Sequence, residues 1–269
     1  MSLKIIVLAK QVPDTRNVGP DAMTPEGTVN RAALPAVFNP EDLNALEQAL
    51  RIKDANPGST ITMITMGLPK AAEVLKEGIY RGADEGILVS DRPLGGADTL
   101  ATSYTLAQAI KKVGDYDIIL CGRQAIDGDT AQVGPQVAEK LGLTQITYTE
   151  EILSIDKEAR KIVAKRHIDG GVETVEGPLP IVVTVNGSAA PCRVRNVKRV
   201  WANKSREFPV WGAADIEADP AQIGKAGSPT NVKAVKSIVF KAKENKTLTS
   251  SDADVESLIV ELMESNTIG

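Results

Sequence analysis

Along roughly the first 145 residues, short apolar runs alternate with longer stretches whose apolar positions recur at helical spacing, which predicts strands alternating with helices. Leu3 to Leu8 is continuously apolar except at Lys4, as suits a strand buried on both faces of a parallel sheet. It runs into Ala9-Lys10-Gln11-Val12-Pro13-Asp14-Thr15, at the carboxyl edge where open parallel sheets bind ligands. Residues 16–38 have no clear period, and so long a connection hints at function. Asn39-Pro40-Glu41-Asp42 predicts a helix start: an N-cap, a proline in the first turn, and two carboxylates at the positive end of the dipole. Leu43, Leu46 and Leu50 supply its inner face, and Asn56-Pro57-Gly58 stops it. Thr60 to Met66 reads as a second strand, closed by Gly67. Pro69 opens a helix through Tyr80, with Ala72, Leu75 and Ile79 inward and Gly82 past its end. Gly86 to Ser90 is a third strand. Gly95-Gly96-Ala97-Asp98-Thr99 then starts a helix through Val113, with Leu100, Tyr104, Ala107 and Ile110 on one face.

The centre of the chain is the next joint. Tyr116 to Cys121 is a buried-strand pattern, and Val133, Val137, Ala138 and Leu141 mark a helix from Thr130 to Leu141, closed by Gly142. Between them, Asp129 and Gln132 have the spacing of a capping box, with Asp129 as N-cap. Exposed amides at such a helix start attract an anion, usually a phosphate. Gly128 lets the backbone come close, and Arg123 offers a forked cation. Asp127 and Asp129 would repel a phosphate unless they turn away; Asp127 either meets a ribose hydroxyl or holds the loop. The plain alternative is an ordinary strand-loop-helix joint.

The pattern changes after residue 150. An apolar stretch near Gln145 to Tyr148 precedes a predicted β-hairpin, Arg160 to Ile168 and Val172 to Glu176 around Asp169-Gly170-Gly171. Leu179 to Val185 is a strongly apolar strand able to return to the main sheet. Residues 191–208 are basic, with Arg193, Arg195, Lys198, Arg199, Lys204 and Arg206 around Trp201, and form either a solvated loop or a docking surface. From Pro209 onward no compact core is expected, and a final amphipathic helix spans Ser251 to Glu264 with Val255, Leu258, Ile259 and Leu262. An apolar helix on an extended arm needs another surface to cover it.

Alternation of this kind means an α/β fold with a parallel sheet. Composition narrows the chemistry. Aromatic residues make up 3%, so the core is aliphatic, and a net charge of −4 gives no global pull toward nucleic acid or anionic membrane. Two cysteines, Cys121 and Cys192, make no disulfide framework, and one histidine, His167, makes a zinc site of the usual kinds implausible. No apolar run approaches membrane length and no leader pattern is present, so a cytoplasmic location in a bacterium, or a matrix-type compartment after import, is expected. There is no G-x-G-x-x-G after the first strand, and Gly224-Lys225-Ala226-Gly227-Ser228 lacks the context of a phosphate-binding P-loop. Hydrolytic chemistry has no identifiable partner for Asp127 or Asp129.

Three stretches together resemble one family, the β subunit of electron transfer flavoprotein. They are Gly122 to Gly134; Ala164 to Glu173 with Leu179-Pro180-Ile181-Val182-Val183-Thr184; and Asn39-Pro40 leading to Ala45-Leu46-Glu47, with Val7 to Pro13 also similar. The resemblance spans nearly the whole chain in one register. It implies an adenine-nucleotide-binding, Rossmann-like parallel sheet with helices on both faces, an added hairpin and an extended C-terminal arm. Residues 1–208, including the hairpin at 160–176, would form the nucleotide-binding domain, and residues 209–269 the arm wrapping an α subunit. Carried over by position, the nucleotide contacts are Ala9, Asn39, Pro40, Glu41, Asp42, Met66, Arg123, Gln124, Ala125, Ile126, Asp127, Gly128, Asp129, Thr130, Ala131, Gln132, Val133 and Gly134.

The α subunit of the family holds a redox FAD. The β site holds AMP in plain members and a second FAD in bifurcating members, where NADH is the donor. The segments at 10–15, 96–103, 127–130 and 223–230 look like the bifurcating type, which favours FAD and adds Asp98, Thr99 and Thr102 as flavin or phosphate contacts. The resemblance implies an electron carrier rather than a classical enzyme, a heterodimer with the α subunit, and a dehydrogenase partner such as an acyl-CoA dehydrogenase. Neither nucleic-acid binding nor membrane insertion is expected. The alternative is a stand-alone ATP- or AMP-binding module of the universal-stress type, against which the hairpin and arm argue.

Overall fold

A computed structural model of the chain describes residues 2–14, 35–230 and 245–268. The chain divides into two compact units between residues 234 and 235. In the first unit the elements follow as β1 (Lys4–Leu8), β2 (Gln11–Pro13), β3 (Ala36–Phe38), α1 (Pro40–Ala55), β4 (Thr60–Met66), α2 (Ala72–Arg81), β5 (Glu85–Val89), α3 (Thr99–Val113), β6 (Ile118–Gly122), α4 (Val133–Leu141), β7 (Thr144–Asp156), β8 (Lys161–Ile168), β9 (Gly171–Pro178), β10 (Ile181–Val185), α5 (Val197–Asn203) and β11 (Val210–Trp211). One sheet runs in the order β11-β5-β4-β1-β6-β10-β7-β8-β9. Its strands pair in parallel from β11 to β7. The β7-β8-β9 end is antiparallel.

The apolar runs divide between two layers because successive side chains of a strand point to opposite faces. Ile5 and Val7 join Ala45, Leu46 and Leu50 of α1 and Leu75 and Ile79 of α2. Ile6 and Leu8 join Leu106 and Ile110 of α3 and Val137 and Ala138 of α4. Each such fully buried aliphatic side chain contributes about 1.5–3 kcal/mol relative to exposure. Contact on the α2 side is close: a Cβ added at Gly78 would lie 1.8 Å from Met63 Sδ.

Strand order turns round at β1. β1, β4 and β5 step one way with α1 and α2 on one face; β6 then falls on the other side of β1, with α3 and α4 on the opposite face. The crevice at the carboxyl ends of β1 and β6 is therefore the topological switch point, where such sheets bind ligands.

Several elements differ from expectation. The stretch from Pro69 starts as a 3-10 turn, Pro69–Ala71, before α2 begins at Ala72. Leu100, expected on the inner face of α3, is 39% exposed, while Ala101 and Thr105 are buried, so the inner face is rotated toward smaller residues. The apolar stretch near Gln145 is the start of a 13-residue strand with a bulge facing β10, where Tyr148 takes φ +57°. Part of the long connection forms an antiparallel pair, β2 with β3; residues 15–34 lie outside the described set. Leu179 to Val185 returns to the sheet between β6 and β7 as foreseen. Past Pro209 the chain does not leave the core at once: β11 pairs with β5, and Ile216 and Ile223 are buried in the layer of α3 and α4.

In the second unit, α6 (Asp252–Glu264) is capped by Ser251, whose side chain accepts from the Asp254 amide. Val255, Leu258, Ile259, Val260 and Met263 are each 41–57% exposed. Among the described residues no helix is long and apolar enough to cross a membrane.

Candidate functional site

The loop after β6 is held from below by the start of α1. Asn39 is the N-cap residue and Pro40 the first helical residue, but the Asn39 side chain does not cap. Its Nδ2 donates to Gln124 O at 2.8 Å and its Oδ1 accepts from Ile126 N at 3.2 Å. Glu41 accepts from Gln124 N at 2.9 Å and pairs with the Arg123 guanidinium at 3.0 Å. Asp42, 6% exposed, accepts from Lys10 N with one oxygen and from Gly122 N with the other, both at 2.8 Å. It thereby ties the ends of β1 and β6 to α1. Burial pushes the Asp42 carboxyl up to about 7, against the pull of the two amides. Only glycine fits at 122, since an added Cβ would sit 2.6 Å from Asp42 Oδ1 and 2.8 Å from Asp42 N.

Charge and helix geometry in the loop differ from the capping-box expectation. α4 begins at Val133, not Thr130; its N-cap is Gln132, with no side-chain cap hydrogen bond. Asp129 stands outside the helix at φ +48° and accepts from Gln124 Nε2 at 2.8 Å. Gln132 Oε1 accepts from Thr99 Oγ1 at 2.8 Å instead of reaching back to the loop. The cause is Ala131, whose φ of +52° breaks the helical path just before the helix. Asp127 is turned onto Lys10 Nζ at 2.6 Å, its side chain 4% exposed. Arg123 is not a free fork: the Glu41 carboxylate raises its pKa, and the guanidinium lies 5.4 Å from the Tyr148 ring centroid.

Across the crevice, Asp98 caps α3, accepting from Leu100 N and Ala101 N at 3.0 Å. Burial raises its carboxyl pKa, but the amides of Ala101 and Thr230 outweigh this and hold it below the usual range. Ala9 and Met66 end β1 and β4 at the same sheet edge, Ala9 N donating to Ile64 O at 3.0 Å. Thr99 and Thr102 lie in the first turn of α3; Thr102 N is spent on Asp98 O at 2.9 Å. Gly128, Thr130 and Gln132 are exposed, while Ala125, Ala131 and Val133 are half-buried. Gly134 is a packing glycine: a Cβ there would meet Thr184 Cγ2 at 2.6 Å and Cys121 Sγ at 2.9 Å. The structure thus gathers the expected residues at one switch point, several of them holding the loop.

What the sequence did not show were Lys10 as the partner of Asp127, Tyr148 under Arg123, and Ser228 and Thr230 beside Asp98. Each lies far along the chain from its partner, and no local period marks it.

The donor set suits a phosphate. Glu41, Asp42, Asp98, Asp127 and Asp129 are each turned onto donors of this chain. The first turn of α4 keeps the amides of Val133 and Gly134 without a side-chain cap. A Cβ added at Gly128 would meet nothing within 4 Å, so the loop presents bare backbone on an open side. Among the described residues there is no metal-ligating cluster. His167 of β8 pairs with Glu150 of β7 at 3.2 Å. Cys121 is buried, and burial raises its thiol pKa.

The basic segment is largely self-paired. Arg193 binds Glu47 at 3.0 Å and Asp54 at 2.8 Å, Arg195 binds Glu77 at 2.7 Å, and Arg206 binds Glu85 at 2.8 Å. Arg199 donates to the carbonyls of Ile79 and Ala83 at the end of α2. These contacts fasten α5 to the body and leave Val194, Val197 and Trp201 outward, 76–85% exposed.

Comparison with known proteins agrees with this geometry. The electron transfer flavoprotein domain matches residues 26–216. The electron transfer flavoprotein subunit beta of Megasphaera elsdenii is 46% identical over 239 residues, 87% of each chain. The caffeyl-CoA reductase-Etf complex subunit CarD of Acetobacterium woodii is 46% identical over 230 residues, 86% of each chain. Protein FixA of Azorhizobium caulinodans is 37% identical over 266 residues, 97% of this chain and 94% of its own. Strand order, switch-point loop and these likenesses agree: the chain belongs to the electron transfer flavoprotein family, on the side of its β subunit.

Proposed function

We propose that the chain is the nucleotide-binding half of an α–β heterodimer and carries electrons between a dehydrogenase and an acceptor, with an FAD rather than AMP in the switch-point site. The observation that carries this reading is the internal pairing of every carboxylate named around an uncapped α4 start. The diphosphate of FAD, or the phosphate of AMP, would lie on the amides of Val133 and Gly134 and the hydroxyl of Thr130. Asn39, Glu41 and Asp42 would hold the loop rather than touch the ligand, because their side-chain oxygens are already taken. The flavin, when bound, supplies the redox chemistry, with NADH as its donor. This chain's part is to position it and keep anionic side chains off its phosphates.

FAD is favoured over AMP by the segments at 96–103, 127–130 and 223–230. A second FAD would belong to the α subunit. The exposed faces fit partners: α6 and residues 235–269 would cover the α subunit, and Val194, Val197 and Trp201 would receive the dehydrogenase. A relative named for a caffeyl-CoA reductase complex favours a partner acting on CoA thioesters, such as an acyl-CoA dehydrogenase. The domain division at residue 209 would then be functional rather than structural: β11 and the buried Ile216 and Ile223 anchor the root of the arm on the sheet.

The test is the nucleotide content of the co-expressed α–β complex after acid release and chromatography. Two FAD per heterodimer, one bleached by NADH, is the expected result. One FAD with one AMP would leave the site reading intact and overturn the flavin assignment; no nucleotide beyond the α-subunit FAD would overturn the site itself.

A further inference from the structure

The segment from Ile223 to Thr230 is fastened to the mouth of the candidate site by a set of contacts that neither the nucleotide nor the sheet requires. Asp98 N donates to Ser228 Oγ at 2.8 Å, and Ser228 Oγ donates to Gly224 O at 2.7 Å. Thr230 N donates to Asp98 Oδ2 at 3.1 Å, while Oδ1 of the same carboxylate caps α3. Lys225 N donates to Gly95 O at 3.1 Å, and Gly227 N to Ile223 O at 2.9 Å. Ile223 is buried at 3% exposure and anchors the near end of the segment.

Two glycines make the seat possible. Gly224 sits at φ +53°, and a Cβ there would lie 1.9 Å from Pro93 O. A Cβ at Gly227 would lie 2.1 Å from Gln222 C. The turn can therefore occupy this position only with backbone against backbone.

Asp98 is next to Thr99, and Thr99 Oγ1 donates to Gln132 Oε1, the N-cap residue of α4. A connected path thus runs from the α4 start by the Gln132–Thr99 hydrogen bond, the peptide link from Thr99 to Asp98, and the hydrogen bonds from Asp98 to Ser228 and Thr230. We infer that Asp98 is a positioning residue that couples occupancy of the switch-point site to the seating of residues 224–230. This rests on the nucleotide reading above. A ligand on the α4 amides holds Gln132, and through its hydrogen bond Thr99, in one arrangement, and with them the α3 start to which the turn is fastened. Because coupling is reciprocal, seating of the turn tightens the ligand by the same factor by which the ligand favours seating.

The test uses the α–β complex with FAD and with AMP as probes, in the parent, in Asp98→Asn and in Ser228→Ala. Asparagine still caps a helix but presents a donor to Thr230 N. Ser228→Ala leaves the α3 cap untouched and removes the two hydrogen bonds of the Ser228 hydroxyl. Two quantities are read: the rate at which the β-site nucleotide leaves, and backbone hydrogen exchange over residues 224–230 with and without nucleotide. In the parent, exchange over 224–230 slows when nucleotide binds. In both variants nucleotide leaves about tenfold faster, within the usual range of coupling between sites, and exchange over 224–230 no longer responds to it. Parent exchange indifferent to a nucleotide that does bind would overturn the coupling and leave the nucleotide reading standing. So would parent-like release from Ser228→Ala. Failure of the parent to bind either FAD or AMP would overturn both.

Discussion

Two helices start at the same carboxyl edge of the sheet and are finished in opposite ways. α3 follows β5 and is closed by a carboxylate, Asp98, which takes the amides of Leu100 and Ala101. α4 follows β6 and is left open, because its N-cap residue Gln132 turns its side chain to Thr99. A carboxylate cap satisfies the first-turn amides and places a negative charge where an anion would sit. An amide side chain turned aside does neither. On the reading proposed above, the two joints would do different work: α3 would be a fixed wall and α4 the anion end. The open joint also needs support from elsewhere, and α1 provides it through Asn39, Glu41 and Asp42.

Removing that support should have the largest effect. Asp42→Ala leaves the amides of Lys10 and Gly122 without their acceptor, at a cost of about 2 kcal/mol when such groups are left unsatisfied. Urea unfolding should show that loss, and the purified complex should carry little β-site nucleotide. A stable protein with full nucleotide would mean that the α4 joint does not depend on the clamp.

The same residue sets the pH response. The Asp42 carboxyl is raised from its ordinary 3.8 to about 7, so between those values the folded state holds more protons than the unfolded one. Its contribution to stability therefore falls as pH rises through that window and is flat above it. Asp98 has the opposite sign: its carboxyl is held below the ordinary value, so its contribution is complete above that value and is lost on acidification. Unfolding free energies measured between pH 5 and 8 should decline toward neutrality in the parent relative to Asp42→Asn, in which that slope is absent. Identical pH profiles would remove Asp42 as the titrating group.

Breaking the closed joint should matter less. Asp98→Ala removes the α3 cap, for about 1 kcal/mol, and frees Thr230 N. By contrast, Gln132→Ala removes no cap and should shift stability by no more than about 0.5 kcal/mol, as for an ordinary surface substitution. Thermal unfolding of the two variants side by side measures the asymmetry directly; equal losses would mean that Gln132 caps α4 in solution.

The asymmetry was only half legible in the sequence. Gly95 to Thr99 was enough to place the α3 start, because a helix start leaves a local signature, while Asp98 was read as a flavin or phosphate contact and is the cap. Asp129 carried the same signature before α4, yet it is not the cap. The positive φ values of Asp129 and Ala131 displace the helix start, and Gln124 claims the carboxylate. Likewise, Asn39-Pro40-Glu41-Asp42 announced a helix start correctly, while its actual work spans 80 residues or more, from Asp42 to Gly122 and from Asn39 to Gln124 and Ile126. The alternating apolar runs gave the sheet because burial of a strand depends on its own residues. Contacts such as Asp98 with Thr230, 132 residues apart, depend on how the chain is threaded and leave no period behind.

The smallest change tests the idea most sharply. Gln132→Asp would give α4 a carboxylate at the position Asp98 holds before α3, with the Gly134 amide as its one first-turn donor, because Pro135 carries no N–H. A good cap adds about 0.5–1 kcal/mol where none existed, so the chain without nucleotide should melt slightly higher than the parent. The same carboxylate stands at the α4 amides, next to where a phosphate would lie, and loses the Thr99 contact as well. Nucleotide affinity should then fall while stability rises. Such opposite movements separate an anion site from an ordinary joint, because a joint with no ligand would gain stability and lose nothing. A variant that melts higher and keeps its nucleotide would place the phosphate elsewhere on the edge; one that melts lower would show that the α4 start cannot accept a side-chain cap in its present geometry.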